Sequence, residues 1–191
     1  MMIRQKYDFK VLKQPSHIPK YNYFYRMKLM IIWLFAAWSH YLISCAPEQT
    51  IPAEDISLTV YKIIDGDSFE GRANGQNYRI RLFGIDAPEK GQDFYQKSKD
   101  RLGQLCKEGP INIKIREKDY FGRWVADAHT YKGEFINQTM VKEGLAWHFT
   151  KYSKDPTLKK LERDARDLQV GIWSIKDPTP PWEYRKNKKA N

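Results

Sequence analysis

Two short segments of the sequence contain closely spaced carboxylates. Asp65 and Asp67 flank a glycine, and Asp86 and Glu89 follow the end of a strand-like run. Four acids that converge at one end of a small fold repel one another unless a cation neutralises them. Hard divalent cations prefer such oxygen ligands, and Ca²⁺ tolerates irregular geometry. Neither segment contains His or Cys, which argues against zinc, so the acids predict a Ca²⁺ site.

From the sequence, two arginines are expected to lie close to these acids. Arg81 is on the polar face of a predicted strand, and Arg123 follows Gly122 at the start of another. A guanidinium can bind two phosphate oxygens at once, so two of them beside a cation could hold a phosphodiester during attack by water. Each feature alone has a structural explanation, since Asp-Gly-Asp turns are common and Asp86 could cap a helix. The order and spacing of the segments favour the chemical interpretation.

Hydrophobic periodicity predicts the elements that position these residues. Alternation of apolar and polar residues predicts five strands, at 57–63, 68–71, 76–85, 111–116 and 124–130. Helical spacing predicts three helices, at 92–107, at 135–143, and from Asp155 to about Leu168. One helix after the third strand and two at the end predict a β-rich α+β fold, a five-stranded OB-fold barrel with three packed helices. The segment 176–191 is expected to be a basic tail that frays.

These motifs together resemble the staphylococcal nuclease-like (thermonuclease) family. The resemblance extends from about Leu58 to Trp173. It rests on four motifs in a fixed order: Asp-Gly-Asp-Ser at 65–68, Arg-Leu-Phe-Gly-Ile-Asp-Ala-Pro-Glu at 81–89, Phe-Gly-Arg at 121–123 and Gly-Leu-Ala at 144–146. It implies an OB barrel and hydrolysis of phosphodiester bonds in DNA and RNA, leaving a 5′-hydroxyl and a 3′-phosphate.

The resemblance also implies residue roles. The metal ligands would be Asp65, Asp67 and Asp86, of which Asp65 would act through water. The catalytic residues would be Arg81, Glu89 and Arg123, with Glu89 acting on the attacking water and the arginines on the phosphate. Tyr152 would lie near the bound nucleotide. Phe121 and Thr150 stand where the best-known member has tyrosines, so grip on the substrate and base preference are expected to differ. Ala87 replaces a threonine, but the ligand there is the backbone carbonyl, so metal binding is expected to survive.

The N-terminal region predicts export. The apolar run 29–43 is shorter than the ~20 residues that a membrane span needs and suits a signal peptide. Leu42–Cys45 resembles a bacterial lipobox, which implies lipidation of Cys45. We therefore expect a membrane-anchored lipoprotein, with plain secretion or an uncleaved anchor as alternatives. The predicted segments are an extension at 1–26 with translation starting at Met27, a signal peptide at 27–44, a tether at 45–55 and the domain at 56–175.

Net charge supports nucleic-acid binding only weakly. The formal charge is +10, but residues 1–44 hold seven of the 33 basic residues and one of the 23 acidic residues. The domain is therefore only mildly basic. The expected substrates are DNA and RNA, and the expected state is a monomer. A non-catalytic OB-fold binding module and a structural surface lipoprotein are the alternatives. Trp147 and Phe149 are expected to pack in the core rather than stack on bases, and Cys106 to be buried.

Overall fold

The computed structural model describes residues 55–190. The strands are β1 (Ile56–Ile63), β2 (Ser68–Ala73), β3 (Gln76–Leu82), β4 (Ile85–Asp86), β5 (Ile111–Lys118), β6 (Trp124–His129) and β7 (Trp147–His148). The helices are α1 (Tyr95–Lys107), α2 (Ile136–Lys142), α3 (Pro156–Asp167) and α4 (Pro181–Ala190), with a 3₁₀ turn at Gly171–Ser174.

Five of the strands close into a barrel in the order β1-β2-β3-β6-β5. Neighbouring strands are antiparallel except β3 and β6, which run parallel, and β5 closes the barrel by pairing with β1. The short strands β4 and β7 form a separate antiparallel pair. The predicted five-stranded OB-type barrel is confirmed. The predicted third strand is interrupted at Gly84, whose φ of +74° ends β3 and lets β4 turn towards β7.

Alternation of side chains fills the barrel. On β3, Tyr78, Ile80 and Leu82 are buried, while Arg79 between them is exposed. The isoleucines at 111, 113 and 115 of β5 alternate with exposed polar residues in the same way. Because neighbouring side chains of a strand point to opposite faces, the buried set fixes where the remaining residues point. This is how Arg81 comes to lie on the face opposite the core.

Helix α1 begins at Tyr95, three residues later than predicted. The Gln92 side chain explains the difference, because its Oε1 accepts from the Glu89 amide (2.8 Å) and its Nε2 donates to the Thr179 carbonyl (2.8 Å). Phe94, at the helix start, has a left-handed φ of 64°. The residues before Tyr95 are therefore engaged in tertiary contacts instead of a helical turn.

The N-terminus of α3 is as predicted. The Asp155 carboxylate accepts hydrogen bonds from the amides of Thr157 (2.7 Å) and Leu158 (3.4 Å), and Pro156 begins the helix. Such a cap satisfies amides that have no partner within the helix. The apolar side chains Leu158 and Ala165 are then buried against the barrel and the C-terminal segment.

The structure corrects two expectations about the C-terminal segment. The segment was expected to be a tail that frays, and the domain was expected to have three helices. Residues 181–190 form a fourth helix, α4. Pro181 is preorganised for a first helical turn, and the Trp182 ring stacks on Phe149 at 5.2 Å between centroids. The prediction was wrong because the helix is held by an aromatic contact with a distant residue, whereas its own sequence is mostly polar and basic.

Within residues 55–190, no helix combines the length and apolar character needed to cross a membrane. The predicted extension, the signal peptide, the lipidation site Cys45 and most of the tether lie outside the described residues. Cys106 is buried with a free thiol, as expected. Burial raises the pKa of this thiol to about 12.

Candidate active site

Two buried aspartates form the floor of the candidate site. Asp67 precedes β2 and is 5% exposed, and Asp86 ends β4 and is 1% exposed. The Asp67 carboxylate accepts from the Ser68 hydroxyl (2.9 Å) and from the Ala87 amide (2.6 Å). The bond to Ala87 joins the turn after β1 to the segment after β4. The two carboxylates are thereby held next to each other although they are 19 positions apart in the sequence.

Arg81 bridges the two aspartates. Its Nη1 lies 3.0 Å from Asp67 Oδ2, and its Nη2 lies 2.8 Å from Asp86 Oδ1. The register of the sheet accounts for this position, because Arg81 pairs with Ser68, the residue after Asp67. Burial raises the pKa of Asp86, and the guanidiniums of Arg185 and Arg81 oppose that effect. Arg81 thus places one guanidinium against two buried carboxylates and favours the charged form of Asp86.

Asp65 adds a third carboxyl group to this cluster. Its Oδ1 accepts a hydrogen bond from the Asp67 amide (3.0 Å). Burial, together with repulsion from the Asp67 carboxylate, raises the pKa of Asp65 to about 7. The protein alone therefore does not fully stabilise the charge at Asp65, which is what is expected of a group that lies near a cation site.

Glu89 joins the cluster through Arg185, a residue of α4 that sequence analysis missed. Arg185 Nη1 donates to Glu89 Oε1 (2.6 Å) and to Asp86 Oδ1 (3.2 Å), and its Nη2 donates to Asp86 Oδ2 (2.8 Å). The only sequence signals for an ordered element here were Pro181 and Trp182 at its start. They could have predicted a docked helix, but not the partners of its arginine.

Arg123 contacts Asp119 and Phe121 rather than the acidic cluster. Its Nε bonds to Asp119 Oδ2 (2.7 Å), and its guanidinium lies 5.6 Å from the centroid of the Phe121 ring. The pKa of Asp119 is lowered because hydrogen bonds and the Arg123 charge outweigh the opposing effect of burial. Arg123 is two residues before Val125, which pairs with Arg81 across the parallel strands. The register therefore brings Arg123 towards Arg81 through tertiary structure.

Of the aromatic residues after Gly144, Trp147 packs in the core as expected, whereas Phe149, also expected there, is not fully buried. Trp147 is buried and contacts Trp173 edge-on at 5.4 Å. Phe149 is half-buried between Tyr152 and Trp182. Tyr152 is 61% exposed, so its ring is accessible to a ligand. Its ring contacts Phe149 (5.1 Å between centroids) and the Lys151 ammonium (5.4 Å).

A buried asparagine and a buried glycine hold the site in position. Asn137 accepts from the Ala128 amide (3.1 Å) and donates to the Phe83 carbonyl (2.9 Å), which ties the end of β3 to β6. Gly66 packs so closely on α1 that a Cβ there would lie 1.9 Å from the Ser98 hydroxyl. The turn that carries Asp65 and Asp67 therefore requires glycine at position 66.

The donor set suits a divalent oxygen-seeking cation, although its present arrangement does not form a ligand cage. Within the part of the chain that the structure describes, no three Asp, Glu, His or Cys side chains are gathered so as to hold one ion. The reason is that arginines bind the oxygens of Asp67 and Asp86. Carboxyl groups nevertheless outnumber the arginines at the site by four to two, and carboxylate oxygens are ligands that Ca²⁺ prefers.

Comparisons with known proteins point to one family. The family model described as staphylococcal nuclease homologue matches residues 79–175, about half of the chain. An uncharacterized endonuclease of Escherichia coli O157:H7 is 37% identical over 134 residues, which cover 70% of this chain and 88% of that relative. A similar uncharacterized endonuclease of Haemophilus influenzae is 36% identical over 72% of this chain and 78% of its own length.

Plant relatives match over a smaller part of their own length. A staphylococcal-like nuclease of Arabidopsis thaliana is 38% identical over 115 residues, or 35% of its length. A 38.1 kDa protein of Capnoides sempervirens is 42% identical over 129 residues, or 38% of its length. The chain spans well under half of these plant proteins but most of the bacterial ones. Because the family model matches about half of the chain, and the bacterial relatives are 36–37% identical over most of their own length, the chain belongs to the staphylococcal nuclease family.

Proposed function

We propose that this protein is a Ca²⁺-dependent endonuclease that hydrolyses phosphodiester bonds of DNA and RNA and leaves 3′-phosphate products. Membership of the family and the endonuclease names of the bacterial relatives support nuclease activity in general. The observation that most strongly supports this site as the catalytic one is the Arg81 bridge. One guanidinium joins two buried aspartates, beside a third acid whose pKa is raised.

In this proposal Asp67 and Asp86 would hold the cation, and Asp65 would contact it through water. Ca²⁺ bound there would neutralise the carboxylates and polarise the scissile phosphate. The Ala87 amide and the register of β2 and β3 hold these acids in fixed positions. Preorganised charge of this kind lowers a barrier because it needs no rearrangement as the reaction proceeds.

The remaining residues would act on the substrate and on water. Glu89, 39% exposed at its side chain, is accessible enough to accept a proton from an attacking water. Arg81 and Arg123 would donate hydrogen bonds to the phosphate oxygens as negative charge grows on those oxygens. Tyr152 would contact the nucleotide through its exposed ring. DNA and RNA would both be substrates if these contacts go to phosphate and base faces rather than to the sugar.

The activity should require Ca²⁺. We expect the full chain to cleave plasmid DNA and ribosomal RNA in Ca²⁺, and to lose cleavage when EGTA replaces the ion. Asp67→Asn, which keeps the shape of a ligand but removes its charge, should be inactive in Ca²⁺. The measurement is product formation on gels, with 3′-phosphate ends identified by mass spectrometry.

A result in which the unmodified chain binds oligonucleotide in Ca²⁺ but cuts neither polymer would contradict the proposal. It would favour a non-catalytic OB-fold binding module. A chain that neither binds nor cuts would favour a structural role.

We also propose that the protein is exported and held at a membrane by lipid on Cys45. The support is the apolar run 29–43 followed by the lipobox-like Leu42–Cys45. Cells that express the full chain should incorporate labelled palmitate into it, and Cys45→Ser should abolish the label, because serine cannot form the thioether. Cys106→Ser is the matched control and should remain labelled. Equal labelling of the wild type and Cys45→Ser would reject the lipid anchor.

A further inference from the structure

We propose that Arg185 is an additional residue of the metal site, an internal cation that competes with the divalent ion for Asp86. This inference rests on the proposed Ca²⁺-dependent function. It concerns how tightly the site binds its ion rather than whether the site exists. Neither the shared motifs nor the region matched by the family model, which ends at residue 175, includes Arg185.

The contacts of Arg185 are those of a bound cation. Its guanidinium forks across both oxygens of Asp86, with Nη2 at 2.8 Å from Oδ2 and Nη1 at 3.2 Å from Oδ1. Nη1 also lies 2.6 Å from Glu89 Oε1. The Asp86 side chain is 2% exposed, so water offers it little alternative. Charge-assisted, bidentate bonds to a desolvated carboxylate are among the stronger polar interactions in proteins.

Helix α4 delivers this guanidinium to the acids. Trp182 stacks on Phe149 within 14° of parallel, and the Gln92 side chain bonds to the Thr179 carbonyl just before the helix. Tyr184 covers Gly91, where an added Cβ would lie 2.6 Å from its hydroxyl. These anchors act independently of the ion pairs. The helix therefore keeps Arg185 at a high effective concentration beside Asp86.

Competition follows from the shared oxygens. Asp86 Oδ1 already accepts from Arg81 and Arg185, and Oδ2 accepts from Arg185. Three of the four lone-pair positions of this carboxylate are thus engaged, two of them by Arg185, so a divalent ion that binds through both oxygens must displace a guanidinium. Two cations also cannot approach the same carboxylate without mutual repulsion. Binding of the ion and binding of the Arg185 guanidinium therefore oppose each other, and by linkage each weakens the other to the same extent.

The test is a Ca²⁺ titration of the full chain by calorimetry, which measures ion binding without any substrate. Arg185→Gln should bind Ca²⁺ about tenfold more tightly than the wild type, as expected when a charge-assisted competitor is removed. Lys186→Gln is the matched control, since it removes the same charge from the next, exposed position of α4, and its affinity should stay near that of the wild type. Arg185→Lys should bind Ca²⁺ with an affinity between those of the wild type and Arg185→Gln, because an ammonium keeps the charge but cannot bind both carboxylate oxygens at once.

Unchanged or weaker Ca²⁺ binding in Arg185→Gln would overturn the inference. In that case the wild type and Lys186→Gln still bind the ion, so the metal site itself stands. If none of the variants binds Ca²⁺, the proposed function fails and this inference fails with it. Thermal melting without Ca²⁺ identifies any variant that does not fold. If Arg185→Gln does not fold, Arg185→Lys takes its place in the comparison with the wild type. Ca²⁺ binding by Arg185→Lys that is no tighter than that of the wild type would then count against competition.

Discussion

Replacing Arg123 with glutamine is expected to lower the rate of DNA cleavage by about 10²–10³-fold, the usual cost of losing one preorganised donor to a transition state. Arg123 is tied to Asp119 rather than to the acidic cluster, so its removal should leave the cluster intact. The side chain is 26% exposed, and exposed ion pairs contribute only about 0–1 kcal/mol to stability. The variant should therefore fold normally, and kcat/KM measured at saturating Ca²⁺ should carry the whole effect.

Arg116→Gln is the matched control for this experiment. Arg116 on β5 is also paired with an aspartate, Asp127, and its guanidinium also lies over an aromatic ring, that of Phe83 at 4.1 Å. It differs from Arg123 in lying outside the motifs that carry the family resemblance. We expect its cleavage rate to stay within a few-fold of the wild type. Similar rates for the two variants would show that Arg123 has no catalytic role.

Gly144→Ala is expected to destabilise the fold by roughly 3 kcal/mol or more, through backbone strain and a clash. Gly144 follows α2 with a φ of +64°, which disfavours any residue with a Cβ. An added Cβ would also lie 2.3 Å from the Val170 carbonyl oxygen, a backbone atom with little freedom to move. Urea denaturation followed by tryptophan fluorescence would measure the loss, because Trp147 and Trp173 are both buried nearby.

Gly133→Ala separates the two causes. Gly133 also has a positive φ, +85°, but a Cβ there would meet nothing within 4 Å. Its cost should be limited to the conformational strain, about 1 kcal/mol. If Gly144→Ala costs no more than Gly133→Ala, the close approach of the two backbone segments is not important for stability.

Local sequence predicted most of the secondary structure correctly. Isoleucines at alternate positions predicted β5, and Asp155 with Pro156 predicted the start of α3, because strand alternation and helix capping depend on neighbouring residues. The start of α1 was predicted three residues early, since Gln92 makes contacts with Glu89 and with Thr179, 87 positions away. Contacts of that kind leave no periodic pattern in the sequence.

The candidate site was predicted in part. Asp65, Asp67, Arg81 and Asp86 come together as expected, and the pairing of Ser68 with Arg81 explains why. Within residues 55–190, Glu89 meets them through Arg185, which was assigned to a basic tail. Arg123 bonds to Asp119 instead. The roles of these residues in catalysis remain predictions.

What the sequence alone determined is the set of reactive residue types, the barrel strands and the turns that carry the acids. These follow from side-chain chemistry and from interactions over a few positions. The tertiary structure decided which charges meet. The parallel pairing of β3 with β6 brings the Arg123 segment towards Arg81, and the docking of α4 places Arg185 on Asp86, 99 positions away. Such contacts arise from packing of the whole domain, and no local pattern specifies them.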